Sequence, residues 1–560
     1  MKVIMTAINA KYIHSNLAVY SLQAYAKQPG VELVIKEYTI NQYTDYIVRD
    51  LYLQKGDMYV FSCYIWNIEQ VLQVAGELKK VYPDVPIWAG GPEVSYDADK
   101  VLRECRYLTG VMIGEGEETF RELVAGKMLQ EIKGIAYPEG DDIVFTAPRE
   151  QINMDAVPFV YEDMTAFENK IIYYETSRGC PFSCSYCLSS VDKRVRFRSW
   201  KLVQKELQFF LDHKVKQVKF VDRTFNCNKQ HANTIWKYLA EHDNGITNFH
   251  FEVSADLLGE AELEIFSAMR PGLIQLEIGV QSTYEPTIRE IHRTMNLAQL
   301  SNMVSKVKAL GNIHQHLDLI AGLPYETFDL FRQSFADVYA MKPDQLQLGF
   351  LKVLKGSHMY ENQEMYGIIC QSRAPYEVMA TKWLDYEQII QLKGIEEMVE
   401  VYYNSNQYQV SVSYLVQFYD NPFDFYKELA EYYVMRHLED KNHSRLARYE
   451  YLRDFALERL GNCLDRECLD EALLYDLYLR EDVKKRPDWA PKHTVHQKEF
   501  HRYLKSHGLL GKAHIEPFKK KLVLFDYSER SPLTHDAKTT ILCKGKVYET
   551  TESTESSQSN

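Results

Sequence analysis

Short β-branched runs alternate with amphipathic stretches over residues 1–125, and the apolar spacing predicts strands over 3–8, 32–38, 58–62, 86–89 and 110–113. Between them, residues 68–81 set Val71, Leu72, Ala75 and Leu78 at helical spacing. Strand–helix alternation of this period predicts a doubly wound, Rossmann-like α/β domain with helices on both faces of a parallel sheet. Such sheets bind ligands at the carboxyl ends of their strands. Those ends carry residues 9–16, residues 62–67, Gly90-Gly91-Pro92-Glu93 and Gly114-Glu115-Gly116-Glu117.

Residues 126–165 read as a connector, with a hairpin around Glu139-Gly140-Asp141-Asp142. From 166 to 365 the alternation returns with a longer period. It predicts strands over 171–176, 217–221, 249–254, 273–279, 314–320 and 345–351, with helices such as 200–211, 230–241 and 301–310. Six such units predict a partial (βα)6 TIM-like barrel. Between 370 and 530 the strand signal fades. Helical patterns over 423–438, 444–461 and 465–479 predict a mainly α-helical domain. Residues 531–560 read as a largely disordered tail, Ser/Thr/Glu-rich from 550 onward.

At 560 residues the chain exceeds one core, and its 46% hydrophobic and 26% charged residues are those of an ordinary globular protein. With 65 basic against 78 acidic residues the net charge is −13, which argues against a nucleic-acid partner held by the overall field. No run approaches the roughly 18 consecutive apolar residues of a membrane span. The N-terminus shows no small-residue cleavage site, so the expected location is the cytoplasm. Tyrosine is abundant, at 40 residues, without belonging to any motif. Ten cysteines are too few for a disulfide scaffold, yet three of them fall within eight residues.

Those three are Cys180, Cys184 and Cys187, at the end of the first barrel strand in the run Thr176-Ser177-Arg178-Gly179-Cys180-Pro181-Phe182-Ser183-Cys184-Ser185-Tyr186-Cys187. A C-x3-C-x2-C loop can turn three thiolates onto one small cluster, and iron–sulfur clusters ordinarily take four such ligands. With no fourth cysteine nearby, one metal position is left open for a reacting ligand. A zinc site is disfavoured because no partner pair stands at zinc-finger spacing.

The loop, with Tyr186 at its aromatic position and a (βα)6 pattern behind it, resembles the radical S-adenosylmethionine (SAM) superfamily. The resemblance implies a [4Fe–4S] cluster on the three cysteines, SAM chelated at the open iron, and reductive cleavage of SAM to methionine and a 5′-deoxyadenosyl radical. It also implies SAM contacts at the barrel strand ends, carried here by Asp222 and Thr224 after the second strand, Glu252 and Ser254 after the third, and Gln281 after the fourth. Asp222 and Thr224 stand where the family has a glycine-rich segment, which this chain lacks. Gly322-Leu323-Pro324 resembles the fifth-strand turn near the adenine.

The front domain before such a barrel is similar to cobalamin-binding radical SAM proteins. The match rests on the 62–67 segment with Ser62 and Asn67, on Gly90 and Gly91, and on the Gly114–Glu117 turn with Glu115. The D-x-H-x-x-G motif that gives cobalt a histidine in many cobalamin domains is absent. His14 is the lone histidine before residue 213 and reads as a packing or surface residue. Cobalamin is therefore expected without a histidine from that motif.

The whole layout resembles proteins of this class with an uncharacterised, DUF4080-like C-terminal domain. The resemblance implies methyl transfer to an unactivated carbon or phosphorus of a small-molecule or peptide substrate, fed by an external one-electron reductant of the flavodoxin or ferredoxin type. Two alternatives stand beside it: a cobalamin-independent radical rearrangement or oxidation, and a non-catalytic iron–sulfur or cobalamin sensor. tRNA methylthiolation would call for a further cysteine triad in the front domain, where only Cys63 and Cys105 occur. The basic run Lys193-Arg194-Val195-Arg196-Phe197-Arg198 reads as a solvated charged face.

Overall fold

Two largely parallel sheets organise the first part of the chain, and their strand order decides where a ligand can enter. The computed structural model describes residues 1–439, 441–491 and 497–542. The front sheet sets Glu32–Thr39, Lys2–Asn9, Met58–Ser62, Ile87–Gly90 and Gly110–Met112 side by side in parallel. Ile4 and Ile8 of Lys2–Asn9 face one core while Val3, Met5 and Ala7 face another, so the strand reads as an apolar run interrupted only by the buried Thr6. Chain order reverses between Lys2–Asn9 and Met58–Ser62, and this switch point opens a crevice at the carboxyl ends of the strands.

The sheet then continues with Ile135–Glu139 and Asp142–Phe145, both antiparallel, giving seven strands where the spacing predicts five. Part of the stretch read as a connector thus belongs to the front domain. Ile135 and Ala136 are fully buried against the parallel strands. Three apolar residues in a row are too few for periodicity to reveal a strand, and only packing shows it.

The second sheet holds six strands in chain order: Ile172–Tyr174, Gln217–Phe220, Asn248–Val253, Ile274–Gln281, His314–Ala321 and Gln345–Phe350. The first four pair in parallel, with Trp200–Asp212, Lys229–Glu241 and Glu260–Ser267 among the intervening helices. This is the open partial barrel of the sequence reading. Its first strand is shorter than the spacing predicts, because Ser177–Arg178 leave the sheet and pair antiparallel with Arg196–Phe197.

The chain forms two compact units. One comprises 1–315, 320–328 and 350–386, and the other 316–319, 329–349 and the described residues from 387 onward. The second unit carries the helices Gln409–Val416, Pro422–Met435, Arg445–Leu460 and Arg466–Arg480. It also ends in an antiparallel sheet of Ala513–Pro517, Leu522–Arg530 and Ala537–Leu542. The helical reading is therefore corrected at its end, as is the start of the tail at 531, since Ala537 is buried in that sheet; residues 543–560 lie outside the described residues. Much of the tyrosine finds its place here. Tyr402, Tyr408, Tyr426 and Tyr449 are fully buried, and the hydroxyls of Tyr402 and Tyr433 bond each other at 2.6 Å. Among the described residues no helix is long and apolar enough to cross a membrane.

Candidate functional site

The cysteine loop is built by four backbone constraints. Gly179 has φ +98°, and a Cβ there would lie 2.5 Å from the Arg194 carbonyl oxygen, so only glycine passes. The Cys180 N–H donates to the Asp192 carbonyl at 2.9 Å, and Ser185 N–H donates to Ile291 at 2.9 Å. Cys187 N–H closes the turn on the Cys184 carbonyl at 3.2 Å, while the Ser190 hydroxyl bonds the carbonyls of both. Cys180 and Cys184 are buried and Cys187 is half-buried, and none is bridged. Burial pushes the Cys180 thiol up, eased by bonds from Phe182 and Thr224. Among the described residues no three His, Cys, Asp or Glu side chains close to single-ion spacing. A cluster takes each thiolate on a different iron and requires no such convergence.

Arg293 is a partner that the sequence reading missed. Its guanidinium donates to Cys184 Sγ at 3.8 Å, to the Tyr186 hydroxyl at 3.3 Å and to the Gly279 carbonyl. Its Nε is buried without a partner. A lone arginine more than a hundred positions along the chain leaves no local signal.

The crevice of the front sheet is a cavity of about 910 Å3. Ser62, Gly90, Gly91 and Glu115 line it from the front domain, Glu252 lines it from the barrel, and residues 157–161 supply an apolar wall. Gly114 also lines it at φ +77°, and a Cβ there would project into open space, so the backbone can meet a large ligand directly. Tyr64 and Trp66 stack at its edge with ring centres 4.5 Å apart.

Asn67 sits behind this surface. Its Nδ2 donates to the carbonyls of Ile8 and Ser62 at 2.9 and 3.0 Å, and its Oδ1 accepts from Tyr64 N–H at 2.8 Å. It therefore clasps the switch point and has no atom to spare for a ligand.

Arginines tie the cavity to the cysteine loop. Arg178, two residues before Cys180, bonds Glu117 at 2.9 Å and Glu175 at 2.8 Å and lines the cavity. Arg196 bonds Glu115 at 2.5 Å and Asp192 at 3.0 Å. Burial opposes the Glu115 charge, but Arg196, the Ile152 N–H and Arg178 together hold its carboxyl below the usual range. Arg198 is buried against Glu206 at 2.6 Å. The basic run is solvated only at its start, where Lys193 and Arg194 are exposed. Arg196 and Arg198 turn inward onto carboxylates that a local reading cannot locate.

The barrel candidates separate by role. Thr224, at φ +64°, sets its hydroxyl 3.9 Å from Cys180 Sγ. Ser254 donates to Asp256 at 2.6 Å, and Gln281 keeps a buried Oε1 without a partner. Ser254, Gln281, Asp222 and Thr224 do not line the cavity. Burial raises the Glu252 carboxyl above its usual range.

Asp222, fully buried, accepts from Thr176 N–H at 3.0 Å, from the Thr176 hydroxyl at 2.6 Å and from the Ser177 hydroxyl at 2.7 Å. It clamps the start of the cysteine loop. Burial pushes its carboxyl up to about 6, above its ordinary 3.8. The folded protein therefore holds this proton more tightly than the unfolded chain. Its contribution to stability is full below about pH 4 and declines through about pH 6, by about 3 kcal/mol. The loss should appear as a falling unfolding midpoint between pH 4 and 7, and Asp222→Asn should flatten that slope. An identical slope in the variant would remove Asp222 as its cause.

Comparison with known proteins matches three domain models in the expected order: a B12 binding domain over 3–124, the radical SAM superfamily over 174–338, and a protein of unknown function (DUF4080) over 364–523. The chain is 27% identical over 303 residues to an uncharacterized methyltransferase of Pyrococcus horikoshii, covering 51% of this chain and 65% of that protein. It is 26% identical over 339 residues to the cobalamin-dependent radical SAM methyltransferase TokK of Streptomyces tokunonensis, covering 56% and 49%. The match thus spans half to two thirds of these relatives' length. Among solved structures it resembles the cobalamin-dependent S-adenosylmethionine radical enzyme OxsB, with a TM-score of 0.56 and 16% identity over 85% of this chain and 78% of that one. It likewise resembles the radical SAM methyltransferase TsrM of Kitasatospora setae, with a TM-score of 0.55 and 14% identity over 66% and 76%. At these identities the likeness to solved structures is one of fold.

Proposed function

We propose that this chain, with its B12-binding, radical SAM and DUF4080 domains in that order, is a cytoplasmic enzyme that cleaves SAM reductively and methylates an unactivated carbon or phosphorus with the help of cobalamin. The observation that carries the reading is the place of Arg178: two residues from the first cluster cysteine, it also lines the front cavity. One short segment thus serves both cofactor sites, as a reaction passing between them requires.

Cys180, Cys184 and Cys187 would hold the [4Fe–4S] cluster, and the cavity at Ser62, Gly90, Gly91 and Gly114 would hold the corrin. The fit rests on three unbridged thiols and on a glycine edge where a side chain would fill the ligand's space. When bound, the cluster supplies the electron that cleaves SAM, drawn from an external flavodoxin- or ferredoxin-type reductant, and cobalamin supplies the methyl carrier. The chain's own residues then position and shield. Arg293 holds a positive charge beside Cys184, and Thr224 offers a hydroxyl to Cys180. Pro158, Phe159 and Val160 wall the cavity with apolar surface, which excludes water from a radical site. The two curated relatives described above are named as methyltransferases, which favours methyl transfer over rearrangement.

The test is anaerobic purification, cluster reconstitution, and quantification of SAM products with dithionite, with and without hydroxocobalamin. The expected result is 5′-deoxyadenosine, with S-adenosylhomocysteine appearing only when cobalamin is present. SAM cleavage indifferent to cobalamin would instead support the cobalamin-independent enzyme. A loaded protein that leaves SAM intact in the presence of candidate substrates would support the sensor.

A further inference from the structure

We propose that His14 supplies an axial nitrogen to the cobalt of cobalamin held in the front cavity, an inference that rests on the reading of that cavity as a cobalamin site. His14 lies in the loop after Lys2–Asn9, at the switch point of the front sheet, and it is the only imidazole among the residues lining the cavity. Its Nδ1 lies 2.6 Å from the Tyr173 hydroxyl, while its Nε2 makes no hydrogen bond among the described residues.

The other charged groups of the lining are already engaged. Glu117 and Glu175 hold Arg178, Glu115 holds Arg196, and Glu206 holds Arg198. Lys219 donates to Glu277, and Arg223 leans on Glu252. Of the residues lining the cavity, His14 is thus the one whose ring, protonated on Nδ1, offers a nitrogen lone pair to a metal.

Its surroundings suit that role. In the tautomer that carries its proton on Nδ1, the Tyr173 oxygen accepts from Nδ1–H and Nε2 is left as the ligand, the arrangement that metal-bound histidines favour. Tyr173 is in this sense a positioning residue.

The backbone beneath is pinned to the barrel and to the front strand Lys2–Asn9. Ile171 N–H donates to the Ile13 carbonyl at 2.8 Å, the Ser15 hydroxyl donates to the Ile171 carbonyl at 3.1 Å, and Asn9 Nδ2 donates to the His14 carbonyl at 3.1 Å. An imidazole on so fixed a loop is presented, not mobile. The sequence conceals this role because His14 lacks the D-x-H-x-x-G context.

The test uses the full chain labelled with nitrogen-15, loaded with unlabelled hydroxocobalamin, freed of unbound cofactor by gel filtration and reduced mildly to the cobalt(II) form. In electron paramagnetic resonance, a protein nitrogen on cobalt splits each cobalt line into a doublet, whereas the cofactor's own base gives a triplet. The expected result is the doublet, lost in His14→Ala with cobalamin still retained and weakened in Tyr173→Phe. Cobalamin retained by the wild type with a triplet or no nitrogen splitting overturns the ligand assignment alone, as does a doublet that survives His14→Ala. Failure of the wild-type chain to retain cobalamin overturns the cavity reading along with it. Where His14→Ala does not fold, a wild-type triplet or unsplit spectrum still overturns the assignment, and weakening of the doublet in Tyr173→Phe still supports it.

Discussion

Replacing Cys184 by alanine is expected to lower 5′-deoxyadenosine formation by at least on the order of a thousandfold, the scale on which loss of one member of a cooperating catalytic unit acts. Cys184 is buried in the middle of the loop, its carbonyl capped by Ser190 and its sulfur facing Arg293. With its thiolate gone the cluster keeps two protein ligands, and the iron content and the visible absorbance of the reconstituted protein should fall with the activity. The fold should survive, because the loop's backbone bonds run through Cys180, Ser185 and Cys187 N–H groups that the change leaves in place. Circular dichroism and the unfolding midpoint check this on the same sample. Cleavage above a tenth of the wild-type rate would show that Cys184 is not a cluster ligand.

The largest stability effect is expected at Arg198. Its Nε and Nη2 donate to Glu206, and its Nη1 donates to the carbonyls of Met154 and Val157 at 2.5 and 2.8 Å. Arg198 is 7% exposed and Glu206 4%, so neither charge has water to fall back on. Arg198→Ala leaves the Glu206 carboxylate buried with the Tyr174 hydroxyl and frees the 154–157 carbonyls, which should cost about 3–5 kcal/mol. The paired change Arg198→Met with Glu206→Leu should recover much of it, since removing both charges leaves no orphan. Denaturant unfolding of the three proteins measures both expectations. A loss below about 1 kcal/mol in the single variant would mean that this clamp does not hold residues 154–157 against the barrel.

Both results turn on features that were legible to very different degrees. The chemistry at Cys184 could be read from three cysteines in eight positions, because ligand spacing within one loop is a local property. The same holds for the parallel strands of the front sheet and for the repeat of the barrel, whose buried faces leave β-branched runs at a regular period. Arg198 could not be read in this way. Its local run of four cations suggests solvent, and only the approach of Glu206 from the helix Trp200–Asp212 makes it an interior ion pair.

By itself, then, the sequence determined what depends on near neighbours along the chain: the order of domains, the strand and helix periods, and the thiolate loop. The tertiary structure alone decided what depends on distant partners. It placed Ile135–Glu139 and Asp142–Phe145 in the front sheet, and it ended the chain's described part in a sheet instead of a tail. It set Asp222 under the cysteine loop and Asn67 behind the cavity, each with its polar atoms consumed by backbone and hydroxyl groups. It also brought Arg293 to Cys184 across 109 positions and Tyr173 to His14 across 159. A side chain's type states which bonds it can make. Which of them it does make is settled by burial, since a polar group withdrawn from water must take the partner that folding presents.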